Sequence, residues 1–372
     1  MQTITIKLPI IDTIPESLKD TARQYSESFN RVCVVGWEQK RINGVDLHHL
    51  TYSDERQKTN LPSQLVISAR MKATEALKSA KARLKKGKKV SCPSTKNLCI
   101  RYDARSATIR LDKQIATLAS NVGRIAVSFK LCSYYSKYSS WKTCSSDLCF
   151  KKDGKVFLHV VVTSPEPVVP CNDIIIGVDL GVNRPAVTSN GQFFGKKQWK
   201  NVINKNFKLR QALQAKGTDS AKRHLKKLSQ KENRFRKDCD HVISRRIIDS
   251  AIEGSTVVLE DLTNIRSSMK AKRNQRRRMH SWSFFRLQSF LDYKAKAKGI
   301  TVEYVDPRYT SQKCSSCGHI EKRNRQTQSL FVCKKCGFQH NADLNAAKNI
   351  RLNYLASKGL SAGSELQSTN LS

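Results

Sequence analysis

Acidic side chains are scarce in this chain of 372 residues: Asp and Glu number 30 against 68 Lys and Arg, leaving a formal charge of +38. A fold with that excess repels itself and attracts phosphate backbones by Coulomb attraction and counterion release, so nucleic acid is the expected partner. Long apolar runs are also missing. No stretch approaches the roughly 18 residues of a membrane span, and the opening "MQTITIKLPIIDTIPE" lacks the charged-then-apolar pattern of a signal peptide. The basic residues are spread along the chain rather than along one amphipathic helix, which argues against a membrane-surface role. A cytoplasmic, nucleoid-associated protein is expected. Prolines are few, 9 in all, yet Pro165, Pro167 and Pro170 cluster into a stiff linker that marks a domain boundary. Eight of the twelve cysteines (Cys33, Cys92, Cys99, Cys132, Cys144, Cys149, Cys171, Cys239) stand singly and read as buried small apolar residues rather than disulfide partners.

Before the linker, "TITIKLPII" alternates like a strand, and Ile14, Leu18, Ala22, Tyr25 and Phe29 follow at helical spacing. Residues 61–89 read as a second helix with Pro62 and Ser63 at its start. "IRYDARSATIRL", "GRIAVSFKL" and "KVFLHVVVTS" alternate with period two, a β-rich stretch over 100–162. After the linker come three strands, 173–181, 184–189 and 191–197, with Asn190-Gly191 as a two-residue hairpin between the last two. Helical sequence fills 201–253, with Gly217 as a stop and Asp219 or Ser220 as the next cap. A buried strand, "TVVLEDL", a basic segment over 266–298, a strand at 300–306, a cysteine-rich insert and a helix after Asn341 complete the order. Three antiparallel strands followed by helix, strand, helix, strand, helix is the order of an RNase H-like α/β fold. The polar end has the composition of a disordered tail.

Cys314-x2-Cys317, fifteen residues, then Cys333-x2-Cys336 is four-thiolate zinc spacing, each pair followed by a glycine. A closed thiolate site leaves no position for a reacting water, so this zinc is expected to be structural. Three carboxylates stand out by position. Asp179 and Glu260 end apolar strands, where a charge is costly unless it holds a cation, and Asp343 lies in the first turn of the last helix. Taken singly, each is a turn former, an ion-pair partner or a favourable helix-dipole charge. Meeting at one place, they would bind Mg²⁺, and two such ions hydrolyse a phosphodiester without a protein nucleophile. Asp261 would point to the opposite sheet face, and Asp306 before Pro307 looks like a turn former. The run Lys270, Lys272, Arg273, Arg276, Arg277, Arg278 is dense enough to prefer phosphate, whereas Trp282, Phe284 and Phe285 after it read as core. Residues 78–89 form a second basic track, 222–227 are as readily a solvated helix face, and Lys322, Arg323 and Arg325 at the insert's tips are placed to touch nucleic acid. His241 and His340 read as packing or polar contacts rather than ligands.

The stretches "IGVDLGVNRPAVTSNG", "VVLEDLTNI", "VDPRYTSQKCSSCGH" and "FVCKKCGFQHNADLNAAKNI" resemble the transposon-encoded TnpB (OrfB) RNA-guided nucleases, relatives of type V CRISPR effectors. "LPSQLVISARMKATEALKS" and "IRYDARSATIRL" match more loosely. The resemblance implies a RuvC-type site of Asp179, Glu260 and Asp343 with Mg²⁺, and zinc on Cys314, Cys317, Cys333 and Cys336. It implies a β-barrel wedge domain (1–12 and 100–168) around a helical recognition domain (13–99). A nuclease domain (171–310), zinc ribbon (311–338), final nuclease helix (339–356) and tail (357–372) then follow. It implies a guide RNA from the transposon end and cutting of double-stranded DNA beside a short motif. An RNA-guided DNA-binding protein that represses without cutting, and a DNA transposase or its accessory, are the other readings.

Overall fold

The computed structural model describes residues 1–181, 184–262 and 284–360. The chain divides at Pro165/Glu166 into two compact units.

The first unit begins with β1 (Gln2–Pro9), followed by helices α1 (Glu16–Glu38), α2 (Gly44–Lys58) and α3 (Ser63–Lys85). It continues through β2 (Cys99–Tyr102), β3 (Ala107–Arg110), β4 (Ile115–Ser120), β5 (Gly123–Ser128), the short α4 (Ser133–Ser136), β6 (Lys142–Phe150) and β7 (Val156–Ser164). One sheet has the order β1-β7-β6-β2 and a second β3-β4-β5. Alternation decides which side is buried: Val156, Leu158, Val160 and Val162 of β7 point inward beside Ile6 and Leu8 of β1, against Leu18, Ala22 and Tyr25 of α1 and Leu65 and Ala69 of α3. The alternating stretch "IRYDARSATIRL" forms two strands, β2 and β3, because Asp103 folds the chain into a turn by accepting from the Arg105 and Ser106 amides. Helix α2 has no counterpart in the apolar pattern. Its Glu55, buried, accepts two 2.8 Å bonds from the Arg31 guanidinium of α1.

The single cysteines depart from the burial expected of them: Cys33 is buried, but Cys132, Cys144 and Cys171 are exposed. Cys99 and Cys149 face each other across β2 and β6 with sulfurs 3.2 Å apart.

The second unit holds β8 (Ile175–Asp179), β9 (Ala186–Thr188), β10 (Phe193–Phe194), α5 (Lys197–Lys216), α6 (Asp219–Asp249), β11 (Thr256–Glu260), α7 (Phe284–Ala297), β12 (Thr301–Val305), β13 (Leu330–Val332), β14 (Gln339–Asn341) and α8 (Ala342–Ser357). The main sheet runs β10-β9-β8-β11-β12, the RNase H-like order. β8 to β10 are antiparallel, while β11 lies parallel to both β8 and β12. Helix α6 is capped by Thr218, whose hydroxyl accepts from the Ala221 amide, rather than by Asp219 or Ser220.

Both faces of the sheet are covered, which is why β8 and β11 read as continuous apolar runs. Ile176, Val178, Val257 and Leu259 pack on Ile243 and Ile247 of α6 and Leu287 and Leu291 of α7. On the other face Val258, Val305 and Ile350 form a cluster under α8. Phe284 enters the first of these cores, whereas Phe285 is 80% exposed, against expectation. Trp282 and the basic run from Lys270 to Arg278 lie outside the described residues. So do residues 361–372 of the expected disordered tail.

Candidate functional site

β8 and β11 run parallel in register, Leu259 beside Val178, so the next residues, Glu260 and Asp179, emerge together at the C-terminal edge of the sheet. Side chains alternate, and Gly177 and Val258 therefore mark the face to which Asp179 and Glu260 belong. Helix α8 lies on that face. A Cβ on Gly177 would overlap the Ala347 carbonyl oxygen and the Arg351 nitrogen, so only glycine lets the helix come this close. Asn341 caps α8 by accepting from the Asp343 and Leu344 amides, which sets Asp343 in the first turn, 8% exposed.

The three carboxylates expected from the sequence lie near enough for the charges of Glu260 and Asp343 to act on Asp179, although among the described residues only the four cysteines of the insert form a group whose ligand atoms all fall within 4.8 Å of one another. Burial first, and then the charges of Glu260 and Asp343, push the Asp179 carboxyl well above the usual carboxylate range, with Arg325 pulling the other way. Burial also raises Glu260, 8% exposed, offset in part by a hydrogen bond from Thr310. Like charges gathered in a partly dry pocket are unstable without a cation, and oxygen donors of this kind suit hard divalent ions. Asp261 is exposed, and Asp306 accepts from the Arg308 amide as a turn former does.

The insert between β12 and α8 places the sulfurs of Cys314, Cys317, Cys333 and Cys336 within 4.8 Å of one another. Two of the separations are 3.8 and 3.6 Å. A tetrahedral ion with metal–sulfur bonds of about 2.3 Å, the zinc value, needs ligand separations near 3.8 Å, so the donor set fits. Gly318 and Gly337, at φ of 75° and 70°, close the two knuckles onto the sulfurs. Their amides donate to the Cys314 and Cys333 carbonyls at 2.9 and 3.0 Å.

Sequence reasoning put Arg325 at an outward tip. It turns inward instead, donating to Asp343 Oδ1 at 2.9 Å, because the wholly buried Asn324 before it is fixed by the Gln312 carbonyl and the Lys334 amide. Lys322 and Arg323 stay exposed, as do Lys222, Arg223, Lys226 and Lys227 and the basic residues from 81 to 89. His241 stacks on Phe290 with centroids 3.9 Å apart, a packing contact, and His340 Nδ1 accepts from the Asn341 amide, a polar one.

A set of residues the sequence reading missed ties α8 to the segment entering the first knuckle. Asn345 accepts from the Ser315 amide and donates to the Lys313 carbonyl, Asn349 donates to the Thr310 and Lys313 carbonyls, and Asn353 accepts from Lys313 Nζ. Asn341, Asn345, Asn349 and Asn353 recur every fourth residue along one helix face, and that spacing was the available signal.

Residues 284–350 match the family description "Cas12f1-like, TNB domain". The chain is similar to a CRISPR-associated endodeoxyribonuclease Cas12f1 of Sulfoacidibacillus thermotolerans, 43% identical over 37% of this chain and 31% of that one. It is 38% identical to a TnpB-like protein of Methanocaldococcus jannaschii, over 40% of this chain and 55% of that one. A putative RNA-guided DNA endonuclease, InsQ, of Escherichia coli K12 is 30% identical over 53% of each chain. The chain therefore spans between 31% and 55% of the length of these curated relatives. Among solved structures, Cas12f1 in complex with its guide RNA and target DNA shares the fold at a TM-score of 0.62 and 19% identity, over 90% of this chain and 81% of that one. The mini-RNA-guided endonuclease Cas_phi3 does so at 0.58 and 12%, over 94% and 92%.

Proposed function

We propose that this chain is an RNA-guided DNA endonuclease with a RuvC-type site, hydrolysing phosphodiesters of double-stranded DNA with divalent cations, Mg²⁺ in the cell, held by Asp179, Glu260 and Asp343. The observation that supports the reading is that Asp179 and Glu260 follow paired strand residues at one edge of the sheet and that the charges of Glu260 and Asp343 act on Asp179, in a chain with a net charge of +38. Asp179 and Glu260 sit on paired strands and Asp343 on a capped helix, so their oxygens are held in a preorganised arrangement. Arg325 and Thr310 each engage one carboxylate oxygen, at Asp343 and Glu260 respectively, which orients the oxygens that remain. Divalent cations held by Asp179, Glu260 and Asp343 would supply an activated water and neutralise charge at the scissile phosphate. No side-chain nucleophile is needed.

We read the four thiolates as a structural zinc site that stiffens the insert presenting Arg325. We read residues 1–12 with 100–168 as the wedge and 13–99 as the helical recognition domain. The exposed basic residues from 81 to 89 are suited to a phosphate backbone. The partners under this reading are a guide RNA from the transposon end and target double-stranded DNA beside a short motif, met in the cytoplasm. Names of the relatives, which include RNA-guided DNA endonuclease and endodeoxyribonuclease, support the same class. Among the described residues no helix is long and apolar enough to cross a membrane.

The test is plasmid cleavage by the protein purified with the RNA encoded beside its gene, in Mg²⁺. Cutting at the matched site is expected, and Asp179→Ala should abolish it. Guided binding without cutting by the wild type would reassign the chain to RNA-guided DNA binding, and undiminished cutting by Asp179→Ala would remove the assigned site.

A further inference from the structure

Thr310 lies in the loop that leaves β12 for the first cysteine knuckle, and it is 3% exposed. Its hydroxyl is 2.6 Å from Glu260 Oε1 and 3.0 Å from the Pro307 carbonyl. A hydroxyl has one proton to give, and an ionised carboxylate can only accept, so the shorter contact to Glu260 takes it. One Glu260 oxygen is thereby engaged and the other is left for a cation. Threonine suits the task because its branched Cβ restricts χ1, so the direction of the hydroxyl follows from the backbone.

That backbone is itself held under tension. Tyr309, immediately before, has a φ of 63°, a left-handed conformation that is costly for a bulky residue and persists only where the surroundings impose it. The Gln312 and Lys313 amides both donate to the Tyr309 carbonyl at 2.9 Å. From α8, Asn349 Nδ2 donates to the Thr310 carbonyl at 2.9 Å and to the Lys313 carbonyl at 2.6 Å. Asn349 is wholly buried, and its Oδ1 has no hydrogen-bond partner among the described residues. An orphaned buried acceptor is destabilising, so what this side chain contributes lies in the two bonds it donates.

We infer that Thr310 is a positioning residue for Glu260, held in place by Asn349, so that the helix carrying Asp343 also orients a second carboxylate of the same site. The inference rests on the nuclease reading, deepens its account of Thr310 and adds Asn349 as the residue that holds Thr310 in place. Carboxylates that ligate metals depend on such partners, whose loss commonly costs about 10–100-fold in metal affinity.

The experiment compares Thr310→Val, which keeps the shape and removes the hydroxyl, with Thr310→Ser, which keeps the hydroxyl. Mn²⁺ binding to the full chain without nucleic acid is read by electron paramagnetic resonance, with melting temperature and zinc content measured alongside. The expected result is an Mn²⁺ affinity about tenfold or more lower for Thr310→Val and restored by Thr310→Ser, with zinc retained in both. Wild-type affinity in Thr310→Val overturns the inference, as does an equal loss in both variants. If Mn²⁺ binding survives in Asp179→Ala, the metal site itself is wrong and the inference falls with it. Binding that depends on Asp179 but not on the Thr310 hydroxyl overturns the positioning role alone.

Discussion

Arg325 donates through Nη2 to Asp343 Oδ1 and to the Gln328 carbonyl, each at 2.9 Å. The insert is therefore more than a connection between β12 and α8. It returns a cation to the carboxylate that opens the helix, while the asparagines of that helix grip the chain entering the insert. Each segment orders the other.

Removing the guanidinium follows directly. Asp343 is 11% exposed at its side chain and Arg325 is 25% exposed, so the pair is only partly screened by water. Arg325→Ala should lower guided cleavage by about tenfold or more, with about 1–3 kcal/mol lost in stability. Arg325→Lys keeps charge but loses the planar fork and should recover little. Cleavage at the wild-type rate in Arg325→Ala would show that the contact does not matter to the site.

Zinc gives the second expectation. With four sulfurs in one cluster, Cys333→Ser should lower bound zinc and melting temperature together and weaken cleavage through the loss of Arg325's support. Metal analysis by mass spectrometry beside a thermal melt checks it. A normal melt with zinc content unchanged would discard the role.

Much of the second unit was legible because burial on both faces leaves an unbroken apolar signature, and a charge ending such a run, as at Asp179 and Glu260, is conspicuous. Helix α2 was not legible, since Leu47 and Thr51 are nearly its whole buried face and an ion pair to Arg31 docks the rest. Arg325 was misplaced for a related reason: among 68 basic residues nothing local separates one that faces inward. Its direction is set by Asn324 and Asp343, contacts that exist only after the insert has folded. The Thr310 hydroxyl had no sequence signal, because hydroxyl residues in loops usually serve turns.

Gathered carboxylates weaken a fold that lacks their cation. Asp179 holds its proton more tightly in the folded chain than in the unfolded one, so its contribution is fully present below the ordinary Asp range and is lost as pH rises towards the raised folded value. At neutral pH, in protein dialysed free of Mg²⁺, Asp179→Asn should melt higher than wild type by about 2–4 °C, corresponding to ~1 kcal/mol. Saturating Mg²⁺ should reverse the order, because only the wild type gains binding free energy. Dialysis is preferred to a chelator, which would also strip the thiolate site. A lower melt for Asp179→Asn without Mg²⁺ would count against the crowding of charge.

Gly177→Ala tests the docking of α8. The added methyl would overlap the Ala347 carbonyl oxygen, so the helix must lift, at a cost of about 1–3 kcal/mol, and carry Asp343 with it. Cleavage should fall further than stability does. Full activity in this variant would mean that the helix can approach the sheet without the missing side chain.

The acidity of the site also sets how it responds to magnesium. Under the proposed reading metal binds the ionised carboxylates, and burial is the chief cause that raises both Asp179 and Glu260 above the usual carboxylate range. Because they interact, they titrate as a group rather than singly. Lowering the pH from about 8 towards about 5.5 should therefore raise the Mg²⁺ needed for half-maximal cleavage by about tenfold or more, whereas carboxylates titrating near 4 would hardly respond over that window. Guided binding, measured without Mg²⁺ across the same pH values, separates this from any loss of nucleic-acid affinity. If the Mg²⁺ requirement stays flat, the carboxylates are ionised throughout and burial is not governing the site. If it rises while binding holds, the proton and the metal are competing for the same oxygens, as the crowding of Asp179 by Glu260 and Asp343 requires.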